Sequence, residues 1–486
     1  MDKRFQRVMQ VSAVVVLLCG GARPALAIPA FARKYQTSCT TCHTAWPKLN
    51  PFGEAFRRNG FRFPGDDSDA IKQQMIKLGA DAYKQIFPRA VWPASLTDSL
   101  PVAIGFIGTA TGAPIAGSSA TATNPGVEHN PDGSPKLDAN GNPIHAPYFS
   151  LAGLTTEAHL WGGGSFNDSL SYFGEVTFTA GSVNIERGYL IFDDILGDQV
   201  APHVFNLLVG KNFATMTSFD NHSSYVVDGY IPEINVAPMF RGTGSFTPGI
   251  TELDTLELNG TVAGRISYSL GWNAGTNDVT GAGPFTMPSS DLYGHVGFKL
   301  GGMRLDGEGL GQVSSKAWEE TALTVDAFAY HSESYYTNDQ GAPLLDTGFT
   351  FGGAARAQWR SLELDVGAMN QSHNHPDSTG TAVNATTAWG EVSYVVFPWL
   401  IPALRVEWTR LSDDLQIPAG TSLARVVPGV NFLVRPNIRV LLSADVERGG
   451  NAPPGGWGGA GGILALPSGT AGTEFETVSA SLLYAY

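Results

Sequence analysis

The chain has 486 residues, 58 of them Gly, with 43% hydrophobic residues, only 15% charged residues and a formal net charge of -14. So acidic a balance argues against nucleic-acid binding, and no stretch after the first 27 residues is long and apolar enough for a membrane helix. Length alone suggests two or three soluble domains, but the residue pattern does not divide that way.

Lys3, Arg4 and Arg7 precede an apolar run from Val8 to Cys19, and Ala25-Leu26-Ala27 supplies an A-x-A cleavage site. Together they predict a secretory signal over residues 1–27, with a run too short to cross a bilayer, for which about 20 residues are needed. A lipoprotein reading of Cys19 is weak, because Leu18 stands where a small residue is expected. The mature chain is expected to begin near Ile28, outside the cytosol.

Cys39-Thr40-Thr41-Cys42-His43 follows soon after. This is C-x-x-C-H, the attachment sequence for c-type haem: two thiols add across the haem vinyl groups and the adjacent imidazole becomes the proximal iron ligand. The chain has three cysteines, and losing Cys19 with the signal leaves only this pair. Competing readings are a disulfide, a thioredoxin-like redox pair or half a zinc site. Zinc would need further ligands, and His43 is the only histidine before His129. A redox pair wants a βαβ setting that this region lacks. One covalently bound haem c is therefore expected, held by Cys39, Cys42 and His43.

Phe31 to about Trp92 reads as a small helical unit. Asn50 and Pro51 make a cap and first helical residue, Phe52 and Phe56 share a face, and Gly60 stops the helix. A second helix is predicted after Asp67 or Ser68, with Ile71, Met75, Leu78 and Ala82 at helical spacing. So few residues bury little apolar surface alone, and haem would supply the missing core. Met75, the only methionine of the unit after the signal, is a possible second axial ligand. It could equally fill the core, and a barrel histidine or an open site competes for the role.

Beyond about Leu100 the pattern changes to a period of two. Ile266, Tyr268, Leu270 and Trp272 alternate with Ser267, Ser269, Gly271 and Asn273. Leu362, Leu364, Val366 and Ala368 alternate with Glu363, Asp365 and Gly367. Ile438 to Val446 repeats the pattern, and the chain ends on Val478, Ala480, Leu482, Tyr484 and Tyr486. About sixteen such segments predict an all-β transmembrane barrel of antiparallel strands in outer-membrane lipid. Long loops at 111–147, 212–252 and 451–474 should lie outside, and short turns at 263–264, 397–399 and 435–437 on the periplasmic side. The connection from Gly301 to Glu319 is too long for that rule. The resulting division is a signal (1–27), a monohaem cytochrome unit (28–97) and a barrel (98–486).

Charge separates the last two. Residues 28–97 carry 10 Lys/Arg against 5 Asp/Glu, and residues 98–486 carry 16 against 38. A basic unit on a short tether is drawn toward an acidic lumen, so the unit is expected within or against the periplasmic mouth. Two clusters are candidate metal ligands in external loops: Asp220, His222 and Asp228, and His373, His375 and Asp377. Acidic groups there would concentrate a divalent cation and offer it oxygen ligands.

The run Phe31-Ala32-Arg33, Cys39 to His43, Leu49-Asn50-Pro51-Phe52-Gly53 and Gly60-Phe61 closely resembles the N-terminal motif of fused cytochrome-porins, whose best-known members are outer-membrane cytochromes of iron-oxidising bacteria. The resemblance is specific over residues 28–64 and architectural over the barrel. It implies that one haem carries electrons from an extracellular donor, Fe(II) in the characterised members, to a soluble periplasmic cytochrome, an activity of the Fe(II):cytochrome c oxidoreductase type. The competing readings are a solute porin whose haem unit is a plug or sensor, and a peroxidase-like haem enzyme with an open sixth position.

Overall fold

The computed structural model describes residues 30–65, 67–77, 85–86, 95–97, 102–115, 130, 134, 136, 148–167, 169–232, 252–275, 289–308, 316–337, 343–374, 382–411, 422–450 and 474–485. Sixteen strands, from β5 (Val102–Ile115) to β20 (Glu474–Ala485), each pair antiparallel with their sequence neighbours, and β20 closes on β5 with Tyr484 opposite Phe106. Closure satisfies every ladder without leaving an edge, which is what lets a sheet lie in lipid.

The period-two alternation sorts residues opposite to a soluble protein. Along β11 (Ile266–Gly275), Leu270 is 63% exposed on the outer face, while Ser267, Ser269 and Asn273 are buried on the inner one. Likewise Leu364 and Val366 of β15 (Leu362–His373) face out and Asp365 is buried within. An outer surface of Leu, Val, Phe and Trp is stable only against hydrocarbon. The chain thus folds as a sixteen-stranded antiparallel barrel with the outward surface of a transmembrane barrel.

The predicted periplasmic turns at 263–264, 397–399 and 435–437 all lie at the rim where β20 ends. The long connection between β12 (Ser289–Gly301) and β13 (Glu320–Thr337) shares that rim, and its described residues add no strand. Its length has a use, because it cups the N-terminal unit: Asn59 Nδ2 donates to Asp306 O at 2.8 Å, and Gly307 lies against Pro64 and Ala55.

That unit sits inside the barrel. It comprises α1 (Ala30–Tyr35), a 3-10 turn (Cys39–Thr41), a ribbon of β1 (His43–Ala45) and β2 (Lys48–Leu49), α2 (Pro51–Arg58) and the single turn α3 (Asp67–Ala70). The start of α2 is as predicted: Asn50 Oδ1 accepts from Gly53 N at 2.9 Å, and Pro51 holds the first helical position. Of the predicted second helix, only one turn forms among the described residues. α3 ends at Ala70, and Met75 lies instead in β3 (Met75–Lys77), paired with β4 (Ser95–Thr97). Pairing with a segment twenty residues onward overrides the local helical spacing there. Leu78 and Ala82 of that stripe, the signal segment 1–27 and Trp92 lie outside the described residues.

The core of the unit is shared with the wall. Tyr35, Phe52, Phe56 and Phe61 form one buried cluster with Ile191 of β8 (Ser182–Phe192) and Leu208 of β9 (Asn206–Asn212). Phe31 stacks on Phe61, and Phe61 on Phe173 of β7 (Leu170–Thr179). The missing core is thus supplied in part by the lumen wall, a source the small size of the unit could not specify.

The expected charge pairing is visible residue by residue. Lys48, 1% exposed, places Nζ 2.7 Å from Glu363 and donates to Ser223 O at 2.6 Å. Arg62 pairs with Asp193 at 3.3 Å, and Arg33 donates to Val102 O at 2.8 Å. Removing one partner of a buried pair costs roughly 3–5 kcal/mol, because the other charge stays desolvated. Lys48→Met should therefore loosen the unit without opening the barrel. Trypsin should cut the purified variant at Arg57, Arg58 or Arg62 about tenfold faster or more, and an unchanged rate would place the anchor elsewhere.

Candidate functional site

The Cys39–His43 segment is held from both sides. Ser38 caps the 3-10 turn, with Thr40 N donating to its Oγ at 3.3 Å. Asn50, 2% exposed, then ties the turn to α2: its Nδ2 donates to Thr40 O and Thr41 O at 3.2 and 3.0 Å, and its backbone N donates to Cys42 O at 2.9 Å. Gly53 permits this approach, since a Cβ there would meet Cys42 O at 2.0 Å. The sequence Asn50-Pro51-Phe52-Gly53 is thus a helix start and a clamp on the cysteine turn at once.

His43 Nδ1 lies 2.9 Å from Pro47 O. A carbonyl only accepts, so Nδ1 carries the proton and Nε2 keeps its lone pair, the arrangement of a metal-ligating imidazole held by an outer hydrogen bond. Burial pulls the His43 pKa below its ordinary value, against the opposing pull of Pro47 O and Asp220, which keeps the ring neutral. Cys39 and Cys42 are not bridged. Burial raises both thiols, Cys42 to about 12. A thioredoxin-like pair needs a depressed thiol pKa, so that reading loses its support.

Cys39, Cys42 and His43 open into a lumen cavity of about 1040 Å³, lined also by Phe31, Trp46, Phe213 and Ile231. That volume matches the upper end of ordinary small-molecule sites, about 300–1,000 Å³. These three residues could hold a haem, and the cavity beside them has room for one.

Another part of the cavity wall comes from the connection after β9. Residues 213–232 do not stand at the external mouth as expected for Asp220, His222 and Asp228. They cross the lumen. Ser218 N donates to Asp326 of β13 at 2.9 Å, Tyr225 N to Glu391 of β16 (Val383–Tyr394) at 2.8 Å, and Arg405 of β17 (Leu400–Leu411) donates to Tyr230 O at 2.9 Å. The strap is bolted to α2, because Asp220 N donates to Glu54 Oε1 at 2.9 Å and Arg57 stands 3.6 Å from its carboxylate. His222 lines the cavity, with Nδ1 3.0 Å from Asp228 Oδ1. Burial opposes its protonation, but the Asp228 carboxylate prevails and carries the pKa to about 9. The inward-facing carboxylates that bind this strap explain why it folds in.

The second predicted cluster is not a loop site at His373. That residue ends β15, is buried, and bonds Asp346 Oδ2 of β14 (Pro343–Arg360) at 2.6 Å. An inward position at the end of a strand hid it among loop residues in the sequence. His375 and Asp377 lie outside the described residues. A group that sequence reasoning missed is His159, Glu175 and Glu186, brought together on β6 (Tyr148–Asn167), β7 and β8 and also lining the cavity. Period-two alternation marks the first two as inward, but Glu186 sits in a bulge, which alternation cannot reveal.

No family profile and no curated protein matches the chain. Among solved structures it is similar to the anion-selective porin from Comamonas acidovorans (TM-score 0.51, 12% identity, covering 79% of this chain and 99% of that one). It is also similar to OmpT of Vibrio cholerae (0.46, 13%, 80% and 99%) and to the channel DcaP of Acinetobacter baumannii (0.44, 12%, 79% and 97%). The likeness is that of the porin barrel fold.

The thiol pKa values give a direct check. In protein made without haem attachment, iodoacetamide at pH 8 should alkylate Cys42 at least about tenfold more slowly than in urea-unfolded protein, because only the thiolate reacts. Equal rates would mean the turn is open to solvent.

Proposed function

We propose that the protein is an outer-membrane electron conduit. Cys39 and Cys42 would attach, and His43 would ligate, one c-type haem, whose one-electron chemistry would serve transfer from an extracellular donor, Fe(II) in the preferred reading, to a soluble periplasmic cytochrome. The observation that carries the reading is His43: an imidazole with Nδ1 committed to Pro47 O, beside two unbridged thiols, opening on a cavity inside a plugged barrel. Bound haem would supply one-electron redox chemistry.

The chain's own residues do the rest. Asn50 and Gly53 fix the cysteine turn, Pro47 O orients the His43 imidazole, and Lys48 and Arg62 hold the unit in the wall. Fe(II) is a one-electron donor whose oxidised product is poorly soluble near neutral pH, so oxidation in or above the lumen keeps the mineral outside the periplasm. Met75 is the residue of the unit that would offer the iron a second ligand. A second reading, a solute porin whose haem unit is a plug, draws support from the likeness to the porin fold.

Cys39→Ala/Cys42→Ala should abolish covalent haem staining, and full staining of the double variant would end the haem reading. Stopped-flow mixing of oxidised wild-type protein with Fe(II) should reduce the haem bands, with little conductance of small solutes in planar bilayers. High conductance with no reduction by Fe(II) would favour the porin reading. Met75→Ala should turn a six-coordinate spectrum high-spin if Met75 ligates, and an unaltered spectrum would remove it from that role.

A further inference from the structure

We infer that His159, Glu175 and Glu186 form a binding site for a divalent first-row transition-metal ion on the inner wall of the barrel. One ring nitrogen of His159 and one carboxylate oxygen from each glutamate lie within 4.8 Å of one another. Donors held at about 2.0–2.2 Å from a common ion in tetrahedral geometry stand about 3.3–3.6 Å apart, so the set closes on an ion by side-chain rotation.

The strands build this cluster by a specific irregularity. His159 on β6 faces Thr177 on β7, and Glu175 faces Arg187 on β8. The register then slips, with Val176 opposite Ile185, which leaves Glu186 as an extra unpaired residue. Both Glu186 and Arg187 line the cavity, although neighbours on a regular strand face opposite ways. A bulge that re-aims one side chain beside its neighbour is a recurrent feature of functional sites.

His159 is 7% exposed and its ring stacks on Trp161 at 5.1 Å and 6°. Its Nδ1 lies 2.9 Å from Thr177 Oγ1 and 3.4 Å from Glu175 Oε1. Its Nε2 is buried without a hydrogen bond, within ion-pair distance of Glu157 Oε2 at 3.5 Å. A buried imidazole nitrogen left so wants a cation or a proton. Arg187 occupies Oε2 of Glu175 at 2.6 Å, while Oε1 receives Trp161 Nε1 at 2.7 Å. Among the described residues that line the cavity, carboxylates, Glu157, Glu186 and Glu252 included, outnumber guanidinium groups eight to four, so the field favours a cation.

A donor set of one imidazole and two carboxylates suits Fe(II), Mn(II), Co(II) or Zn(II) better than Ca(II) or Mg(II), which take oxygen alone. The site shares its cavity with Cys39, Cys42 and His43. Occupation by Fe(II) would make it the waiting place of the electron donor, a role that rests on the conduit reading, whereas cation binding itself does not.

The test is equilibrium dialysis of the full chain in detergent against Co(II), with metal analysis, in wild type, His159→Ala, Glu186→Gln and Cys39→Ala/Cys42→Ala. Barrel folding is checked by heat-modifiable gel mobility. Wild type and the haem-free double variant should bind Co(II) with equal affinity, and both site variants should lose about tenfold or more. Excess Ca(II) should not displace the ion, and X-ray absorption should report an imidazole ligand. Equal Co(II) affinity in folded Glu186→Gln and in wild type, or ready displacement by Ca(II), would overturn the proposal and leave the group as a protonated-histidine ion-pair network. Loss of haem staining alone bears on the conduit reading and leaves this result untouched.

Discussion

Carboxylates on the inner wall of a lipid-embedded barrel must find positive charge or hydrogen-bond donors, and most of what fills this lumen follows from that requirement. Glu363 meets Lys48, Asp193 meets Arg62, Asp326 meets the backbone of Ser218, and Glu391 meets that of Tyr225. Desolvated charge is costly unless it is paired and hydrogen-bonded. The basic N-terminal unit and the strap at 213–232 are the partners, and each is placed by the wall it neutralises. The two also hold each other, through Glu54 and Arg57 of α2 against Asp220 of the strap.

Because the unit draws part of its core from Ile191, Leu208 and Phe173, folding of the plug and closure of the barrel are coupled. The coupling also fixes Cys39, Cys42 and His43 at the wall of one cavity. The long connection after β12, which departs from the rule of short turns, supports the same unit from below through Asp306 and Gly307.

Other features of the lumen are made by departures from regularity. The bulge at Glu186 turns a residue that should face lipid toward His159 and Glu175. The inward course of 213–232 moves His222 from a supposed external mouth to the cavity wall. In both cases a chemically capable side chain lies where neither period two nor loop composition would put it.

Much of the architecture was legible in the sequence, because lipid imposes a strict local rule. Every second residue of a strand such as β11 or β15 must be apolar, and the alternation survives without knowledge of the partners. The Cys39–His43 spacing and the Asn50-Pro51 helix start are equally local, since each depends on residues within one or two turns. Tertiary structure alone decided the rest. Met75 belongs to a strand because Ser95–Thr97 pairs with it, His373 is buried because Asp346 on the neighbouring strand accepts it, and the strap lies inside because wall carboxylates from distant strands bind its backbone. Those outcomes depend on contacts between residues far apart in the chain, which exist only once the sheet has closed, and no periodicity in the sequence carries them.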